Sequence, residues 1–324
     1  ELFVTAPGQT TVNQDGGIYI YDTSGSSASL LYKYENPSHL GHGLGCTFAF
    51  NNDWLLVGTD EQGTTATPYL YVFKRDSNGD WENDGSGNLT PHQTINPSLD
   101  QSEFVDYVGP ITINPQGTYF TIATGTGSDD GSVYKYNSST GDWDFEFKST
   151  GTWFSNPYST AMYNTSVLST TGNTTAYGLT YDAGGTQVWG RRVLASGFPL
   201  TGTYNIRFIE YNSSVYMWGV ERGQTNTTTG YRNWICEWDV AADILDVNNA
   251  VIQQVAHIGE SPINGHYGAP PYKSNWTIAD HYIDSNGLMH IFVSATDNAR
   301  NDIMYSTFNF STMSFNSAPL LIDC

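Results

Sequence analysis

Large apolar residues alternate with small or polar residues along most of the chain, and this period of two predicts short β-strands. The pattern is clearest at residues 119–148, YFTIATGTGSDDGSVYKYNSSTGDWDFEFK, where turn residues separate three alternating stretches. The same succession of strand, loop, aromatic strand, polar turn and strand occurs at residues 2–34 and 54–81. An internal repeat of about 50 residues is typical of propellers and solenoids.

Extending this repeat to the end of the chain predicts an all-β fold, a single β-propeller of four-stranded antiparallel blades. We expect one domain with six blades, and seven are the alternative if an N-terminal piece is missing. The first repeat contains only three predicted strands. Residues 239–256 have the spacing of apolar residues that is closest to that of a helix. The predicted blades cover residues 1–36, 43–97, 104–150, 158–202, 204–259 and 275–324.

The net charge of −20 and the pI of about 4.3 exclude a nucleic-acid-binding surface, because twelve scattered basic residues cannot neutralise a row of phosphates. Solubility and mutual repulsion explain the acidity, and binding of divalent cations or life in high salt is the alternative. The sequence contains no apolar run near the roughly 18 residues that a membrane-spanning helix needs.

Two features predict an extracellular or cell-surface protein. The chain begins without Met and already inside a predicted strand, so we expect that a targeting segment has been removed. Eight sequons of the type Asn-X-Ser/Thr predict a glycoprotein. They begin at Asn88, Asn137, Asn164, Asn173, Asn212, Asn226, Asn275 and Asn309.

The three cysteines, Cys46, Cys236 and Cys324, are disulfide candidates and lack the spacing of a zinc site. Their odd number permits one disulfide with one thiol left over, or an intermolecular bridge through Cys324. The sequence leaves these possibilities open.

One loop spaces oxygen-bearing side chains as a calcium site does: Asp76, Asn78 and Asp80, with Asp84 beyond. Calcium is therefore the one cofactor that the sequence suggests. No Glu follows at the twelfth position of the EF-hand pattern, and an ordinary turn between outer strands is the competing interpretation.

Glycoside hydrolysis needs two carboxyl groups that face each other across a pocket. Asp280 and Asp284 are the candidate catalytic residues if the protein is a hydrolase, since inner strands of a propeller point toward its axis. No Ser/His/Asp arrangement is evident in the sequence, and its seven histidines are dispersed.

Residues 1–148 resemble the FG-GAP repeats of integrin α-chain propellers and of secreted or surface proteins of microbes. The matching motifs are LFVTAPG…GGIYIYD, GLG…WLLVG…YLYVFKRDSNGDW and DYVGPITI…YFTIATG…GSVYKYNSSTGDW. The segment ADHYIDSNGLMHIF, residues 279–292, is similar to blades of sialidase-like and glycoside hydrolase propellers. The first resemblance implies adhesion or recognition at a cell surface, and the second implies carbohydrate chemistry.

The expected function is a non-enzymatic extracellular β-propeller glycoprotein that acts in adhesion, recognition or surface assembly. Its partners would be a surface protein or a glycan, or other copies of the chain by self-assembly. The first alternative is a carbohydrate-active propeller enzyme of the glycoside hydrolase or sialidase type. The second is a structural subunit of a surface filament or coat, joined through Cys324 or through blade edges.

Overall fold

The structure is a computed structural model. It describes residues 1–6, 16–35, 43–60, 68–101, 108–124, 130–149, 159–170, 174–181, 187–192, 203–221, 232–240, 244–245, 250–254, 277–296, 301–315 and 320–323. The chain divides into two compact units, Glu1–Asn156 with Met162–Thr165, and Pro157–Ala161 with Ser166–Cys324.

The first unit contains three antiparallel sheets, each built from strands that follow one another along the chain. The N-terminal sheet has three strands, β1 (Leu2–Ala6), β2 (Gly17–Asp22) and β3 (Ser29–Glu35). The second sheet has β4 (Gly43–Phe50), β5 (Trp54–Asp60), β6 (Leu70–Lys74) and β7 (Gln93–Ile95). A short helix, α1 (Pro97–Gln101), leads to the third sheet, β8 (Val108–Ile113), β9 (Tyr119–Thr124), β10 (Asp130–Asn137) and β11 (Asp142–Ser149).

A further four-stranded sheet follows, and its strands pair in chain order. It consists of β12 (Ser159–Tyr163), β13 (Ser166–Thr170), β14 (Thr174–Tyr181) and β15 (Gln187–Arg192).

The last two sheets belong to the second unit, and in each of them two short strands share the outer position. The first contains β16 (Thr203–Tyr211), β17 (Ser214–Glu221), β18 (Arg232–Asp239), β19 (Ile244–Leu245) and β20 (Val251–Gln254). The other contains β21 (Thr277–Ile283), β22 (Leu288–Thr296), β23 (Asn301–Asn309), β24 (Ser314–Phe315) and β25 (Leu320–Asp323). Because β19 and β20 pair with opposite ends of β18, and β24 and β25 with opposite ends of β23, each sheet keeps four strand positions.

The strand order confirms the all-β class and the four-stranded antiparallel blades, but the predicted number of blades is wrong. Among the described residues five sheets have four strand positions, so the count of blades is five rather than six or seven. The N-terminal sheet has three strands in the described part of the chain. The near-helical residues 239–256 contain β19 and β20 instead of a helix, as far as they are described.

Period-two alternation explains the core of the first unit, because every second residue of a strand faces the same side of its sheet. One cluster packs around Leu55, Val57 and Phe73, and another packs around Phe120 and Trp143. All five side chains are almost completely buried.

The core of the second unit is formed by one face of each of its last two sheets. Met289, Ile291 and Phe308 come from β22 and β23, and they pack with Trp218 and Ile235 from β17 and β18. All five side chains are buried, so this face of the β21–β25 sheet is fixed by packing and its opposite face carries the polar and aromatic residues described next.

Candidate active site

The hairpin that joins β21 to β22 is closed by Asp284, one of the two carboxylates predicted as catalytic. Its Oδ1 accepts hydrogen bonds from the backbone N–H of Asn286, at 2.8 Å, and of Leu288, at 2.9 Å. Gly287 takes a φ of 76°, which this tight turn requires. The bond from Leu288 is the main cause that holds the pKa of Asp284 below its usual value, so this group is an ionised acceptor at neutral pH.

The imidazole of His290 lies between this carboxylate and a tyrosine. Its Nε2 is 3.4 Å from Asp284 Oδ2, and its Nδ1 is 2.8 Å from the hydroxyl of Tyr305. An ionised carboxylate only accepts hydrogen bonds, so in the neutral imidazole Nε2 carries the proton and Nδ1 accepts the Tyr305 O–H. The three residues therefore form a continuous chain from carboxylate through imidazole to phenol.

Aromatic rings surround His290 on the same face of the sheet. The ring of Tyr282 stacks on the imidazole with centroids 4.4 Å apart and planes 4° apart, and Phe292 lies 5.2 Å from Tyr305. Tyr282 is 52% exposed and Phe292 is 36% exposed. This face thus offers flat apolar surface to the solvent directly beside the polar chain.

The strands place these residues together by register. His290 is paired with Tyr282 across β21 and β22, and Phe292 is paired with Tyr305 across β22 and β23. Their neighbours in sequence, such as Met289 and Ile291, face the buried core. The hydrophobic half of each strand therefore fixes the orientation of the polar half.

The second predicted catalytic residue, Asp280, lies on β21 opposite Phe292. It occupies the strand position two residues before Tyr282, but its side chain lies outside what the structure describes. Sequence reasoning found Asp284 and missed His290 and Tyr305. Their alternation with Met289 and Ser306 is an ordinary strand pattern, and only the pairing register shows that they meet.

The predicted calcium loop is a turn stabilised by its own side chains. Asp76 Oδ1 accepts hydrogen bonds from the backbone N–H of Asn78, at 2.8 Å, and of Asp80, at 3.1 Å, while Asp76 Oδ2 accepts one from the Asn78 amide. Asp84 forms the same kind of turn with Ser86 and Asn88. Within the described ranges, no group of three or more His, Cys, Asp or Glu side chains lies close enough to hold a metal ion.

Five of the eight sequons lie within the described part of the chain, and each occurs at a turn or strand end. Asn88, Asn164 and Asn212 are exposed, while Asn137 and Asn309 are half-buried. The other three, Asn173, Asn226 and Asn275, lie outside the described residues. Glycosylation at all eight therefore stays a prediction.

The structure describes one of the three predicted disulfide candidates. Cys236 is a buried thiol on β18, and its Sγ lies 3.6 Å from the carbonyl oxygen of Glu237. The side chain of Cys46 and the whole of Cys324 lie outside the described residues. No helix in the described part of the chain is long and apolar enough to cross a membrane.

Comparison with known proteins identifies the fold but no family. No protein-family model and no curated protein matches the sequence. A crystal structure from Bacteroides uniformis, provisionally named a 6-phosphogluconolactonase, is similar to 99% of this chain and 82% of its own, with 14% identity and a TM-score of 0.51. The periplasmic gluconolactonase of Pseudomonas aeruginosa gives the same coverages, with 10% identity and a TM-score of 0.53.

These likenesses show a β-propeller fold, which confirms the predicted fold type. They do not confirm the resemblance to FG-GAP repeats, since no family model matches. The expected non-enzymatic role in adhesion, recognition or surface assembly is contradicted, because the similar structures are named as enzymes. The alternative of a carbohydrate-active enzyme agrees better with them.

Proposed function

We propose that this protein is a hydrolase of sugar-derived lactones, the cyclic esters of sugar acids, and that Asp284, His290 and Tyr305 form its acid–base group. The observation that carries the proposal is the imidazole of His290, held between a carboxylate and a phenol. General acid–base catalysis needs a titratable group whose tautomer and position are fixed in this way. The names of the two similar structures suggest the substrate class.

The geometry supports a proton transfer in which Tyr305 contacts the attacking water. As the water oxygen bonds to the lactone carbonyl carbon, the water proton passes to the Tyr305 oxygen and the phenolic proton passes to His290 Nδ1. The carboxylate of Asp284 stabilises the imidazolium that forms. When the ring C–O bond breaks, the proton returns through Tyr305 to the leaving oxygen, so that one water is consumed and one hydroxy acid is formed.

The exposed aromatic surface beside this group supports a sugar-derived substrate. The C–H face of a sugar ring packs on flat aromatic side chains, and Tyr282 and Phe292 present such rings next to Tyr305. We assign these two residues to substrate binding and the polar chain to proton transfer.

Hydrolysis of D-glucono-δ-lactone and of its 6-phosphate, followed by acid release at constant pH, tests the proposal. We expect turnover above the spontaneous rate, and we expect Tyr305→Phe to lower kcat by about 10²-fold or more, the range that general acid–base groups contribute. This substitution keeps the ring and its packing against Phe292 and removes only the hydroxyl that bonds to His290.

Ser285→Ala is the matched control, because Ser285 is an exposed turn residue beside Asp284. Its rate is expected to equal that of the unmodified chain. If neither lactone is hydrolysed faster than in buffer, the proposed function is wrong. If Tyr305→Phe retains full activity, the reaction belongs to another site.

The finer expectations about this protein are also proposals. We propose an extracellular or periplasmic location, with glycans at exposed sequons such as Asn88, Asn164 and Asn212; the periplasmic neighbour from Pseudomonas aeruginosa agrees with such a location. We also propose that residues 1–148 are FG-GAP repeats and that the whole chain forms one propeller domain. Mass spectrometry of the protein from its native host, before and after removal of N-glycans, tests the glycosylation.

A further inference from the structure

Within the described part of the first unit, the carboxyl group of Asp100 on helix α1 has no cationic partner. The hydroxyl of Tyr134, a buried side chain of β10, donates a hydrogen bond to Asp100 Oδ2 at 2.9 Å. Every Lys and Arg of residues 1–156 lies within the described ranges, and none of them forms an ion pair with Asp100. Partial burial raises the pKa of Asp100 above its usual value, because the ionised group loses hydration that no positive charge replaces.

Apolar side chains lie beside this carboxyl group. The register of β10 with β11 pairs Tyr134 with Phe145, and their rings make an edge contact with centroids 5.7 Å apart. Phe145 is 37% exposed, and Leu99, which precedes Asp100 in α1, is 74% exposed. Leu99, Asp100 and Phe145 line a cavity of about 340 Å³, which we call the Asp100 cavity. Its size suits a small organic molecule.

The side chain of Asp144, a residue that also borders the Asp100 cavity, lies on the opposite face of its sheet. Asp144 pairs with Lys135, one position along from the pair described above, and successive residues of a strand point to opposite faces. On that face the Asn137 amide donates to Asp144 Oδ2 at 2.8 Å. The remaining walls are mixed, with apolar Ile95 and Trp143 and polar Gln93, Thr94 and Asn96. Among the lining residues, Asp100 is therefore the one whose carboxyl group faces the cavity.

A single carboxylate beside apolar walls selects a ligand by charge. A metal ion needs several ligands, and in the described ranges no group of three or more His, Cys, Asp or Glu lies close enough to hold one. Anions are repelled by the carboxylate. An organic ammonium forms a charge-assisted hydrogen bond with Asp100, and an apolar stem attached to it removes Phe145 and Leu99 from water.

We propose that the Asp100 cavity binds a primary ammonium group carried on a short apolar stem. The ammonium donates to lone pairs of Asp100 that Tyr134 does not use, while the Tyr134 hydroxyl holds the carboxylate in place. The stem packs against Phe145 and Leu99. A small amine and the side chain of a lysine share this chemistry. The site has no residue in common with the proposed catalytic group.

Ligand-observed NMR titration of the full chain with n-butylammonium chloride, n-butanol and sodium butyrate tests this site. The three probes share an apolar stem and differ in charge. We expect saturable binding of the ammonium, about tenfold tighter than that of butanol, and no binding of butyrate. We expect Asp100→Asn to abolish the preference for the ammonium, and Phe145→Ala to weaken ammonium and butanol alike, by about threefold.

Asp144→Asn and Glu146→Gln are the matched controls, because each removes one negative charge from an exposed position on β11 and leaves Asp100 in place. Both are expected to keep the preference of the unmodified chain. The proposal is wrong if the ammonium does not bind, if butanol or butyrate binds as tightly, or if Asp100→Asn retains the preference. Loss of the preference in either control would also overturn it, since net charge would then explain the binding.

Nα-acetyl-L-lysine methylamide, titrated in the same way, distinguishes the two sources of the ammonium. Tighter binding than that of butylammonium assigns the cavity to a lysine side chain of a protein or peptide, and equal or weaker binding assigns it to a small amine. Lactone hydrolysis is a separate readout, so this proposal and the proposed function fail independently.

Discussion

Gly219 lies directly against the indole of Trp234, its partner across β17 and β18. A Cβ at Gly219 would come within 2.3 Å of Trp234 Cζ2 and 2.4 Å of Cε2. Trp234 is almost completely buried, so its ring has no room to move aside. The glycine is therefore a packing requirement of this sheet, where the approach of an aromatic ring excludes any side chain.

We predict that Gly219→Ala destabilises the protein by about 1–3 kcal/mol, the usual cost of overpacking a core. Urea unfolding followed by tryptophan fluorescence measures the change. Gly25→Ala is the control, because Gly25 lies in an exposed bend where the nearest atom to an added Cβ is 3.8 Å away. Equal stability of the two variants would show that Trp234 repacks at no cost.

Gln93 joins two neighbouring sheets of the first unit through its bonds to the backbone of Trp143. We predict that Gln93→Leu lowers the free energy of unfolding by about 1–3 kcal/mol, because it leaves the partly buried backbone N–H and carbonyl of Trp143 without their Gln93 partner. Thr94→Val, at the exposed next position on β7, is the comparison variant and is expected to change stability little. An unchanged denaturation midpoint in Gln93→Leu would mean that water replaces both bonds.

Asp284→Asn separates the two roles of this residue. The amide oxygen still accepts the backbone bonds of the turn, but the neutral amide no longer fixes the proton on His290 Nε2. We predict a loss of lactone turnover of about 10²–10⁴-fold, as for other orienting carboxylates, with a nearly unchanged melting temperature. A variant that loses stability and activity together would point to a purely structural role.

Strand positions were predictable from sequence because turn residues mark their ends. The three alternating stretches predicted within residues 119–148 correspond to β9, β10 and β11. Alternation is weaker in strands such as β13, where only two of the five residues, Ser166–Thr170, are apolar. The number of blades was wrong because a repeat gives the order of strands and not whether a three-stranded unit completes a blade.

The candidate site was predictable only in part. Asp284 was proposed as a carboxylate of an inner strand, but His290 and Tyr305 lie on different strands, and their contact depends on the register of β22 with β23. Asp100 was not identified either, because its environment is created by Tyr134, 34 residues away. Sequence patterns specify the faces of strands, whereas contacts between polar groups depend on pairing and on the approach of separate sheets.

The carboxyl of Asp100 gives a pH-dependent prediction, because partial burial raises its pKa in the folded protein. A carboxyl whose folded pKa is raised favours the folded state most below its unfolded pKa, about 3.9, and this contribution is lost as the pH rises through the folded value. At neutral pH the ionised group therefore opposes folding. Burial also raises the pKa of Tyr134, so its hydroxyl remains a donor.

Asp100→Asn removes this charge while the amide oxygen still accepts the Tyr134 hydroxyl. We predict that the variant melts at a higher temperature than the unmodified chain at pH 7, and that the difference shrinks as the pH falls toward 3. Thermal unfolding across that range measures it. Glu146→Gln removes one negative charge from the same region, at an exposed position on β11, and corrects for the general effect of the chain's net charge of −20. A difference that is constant with pH, or the same in both variants, would assign the effect to net charge rather than to the burial of Asp100.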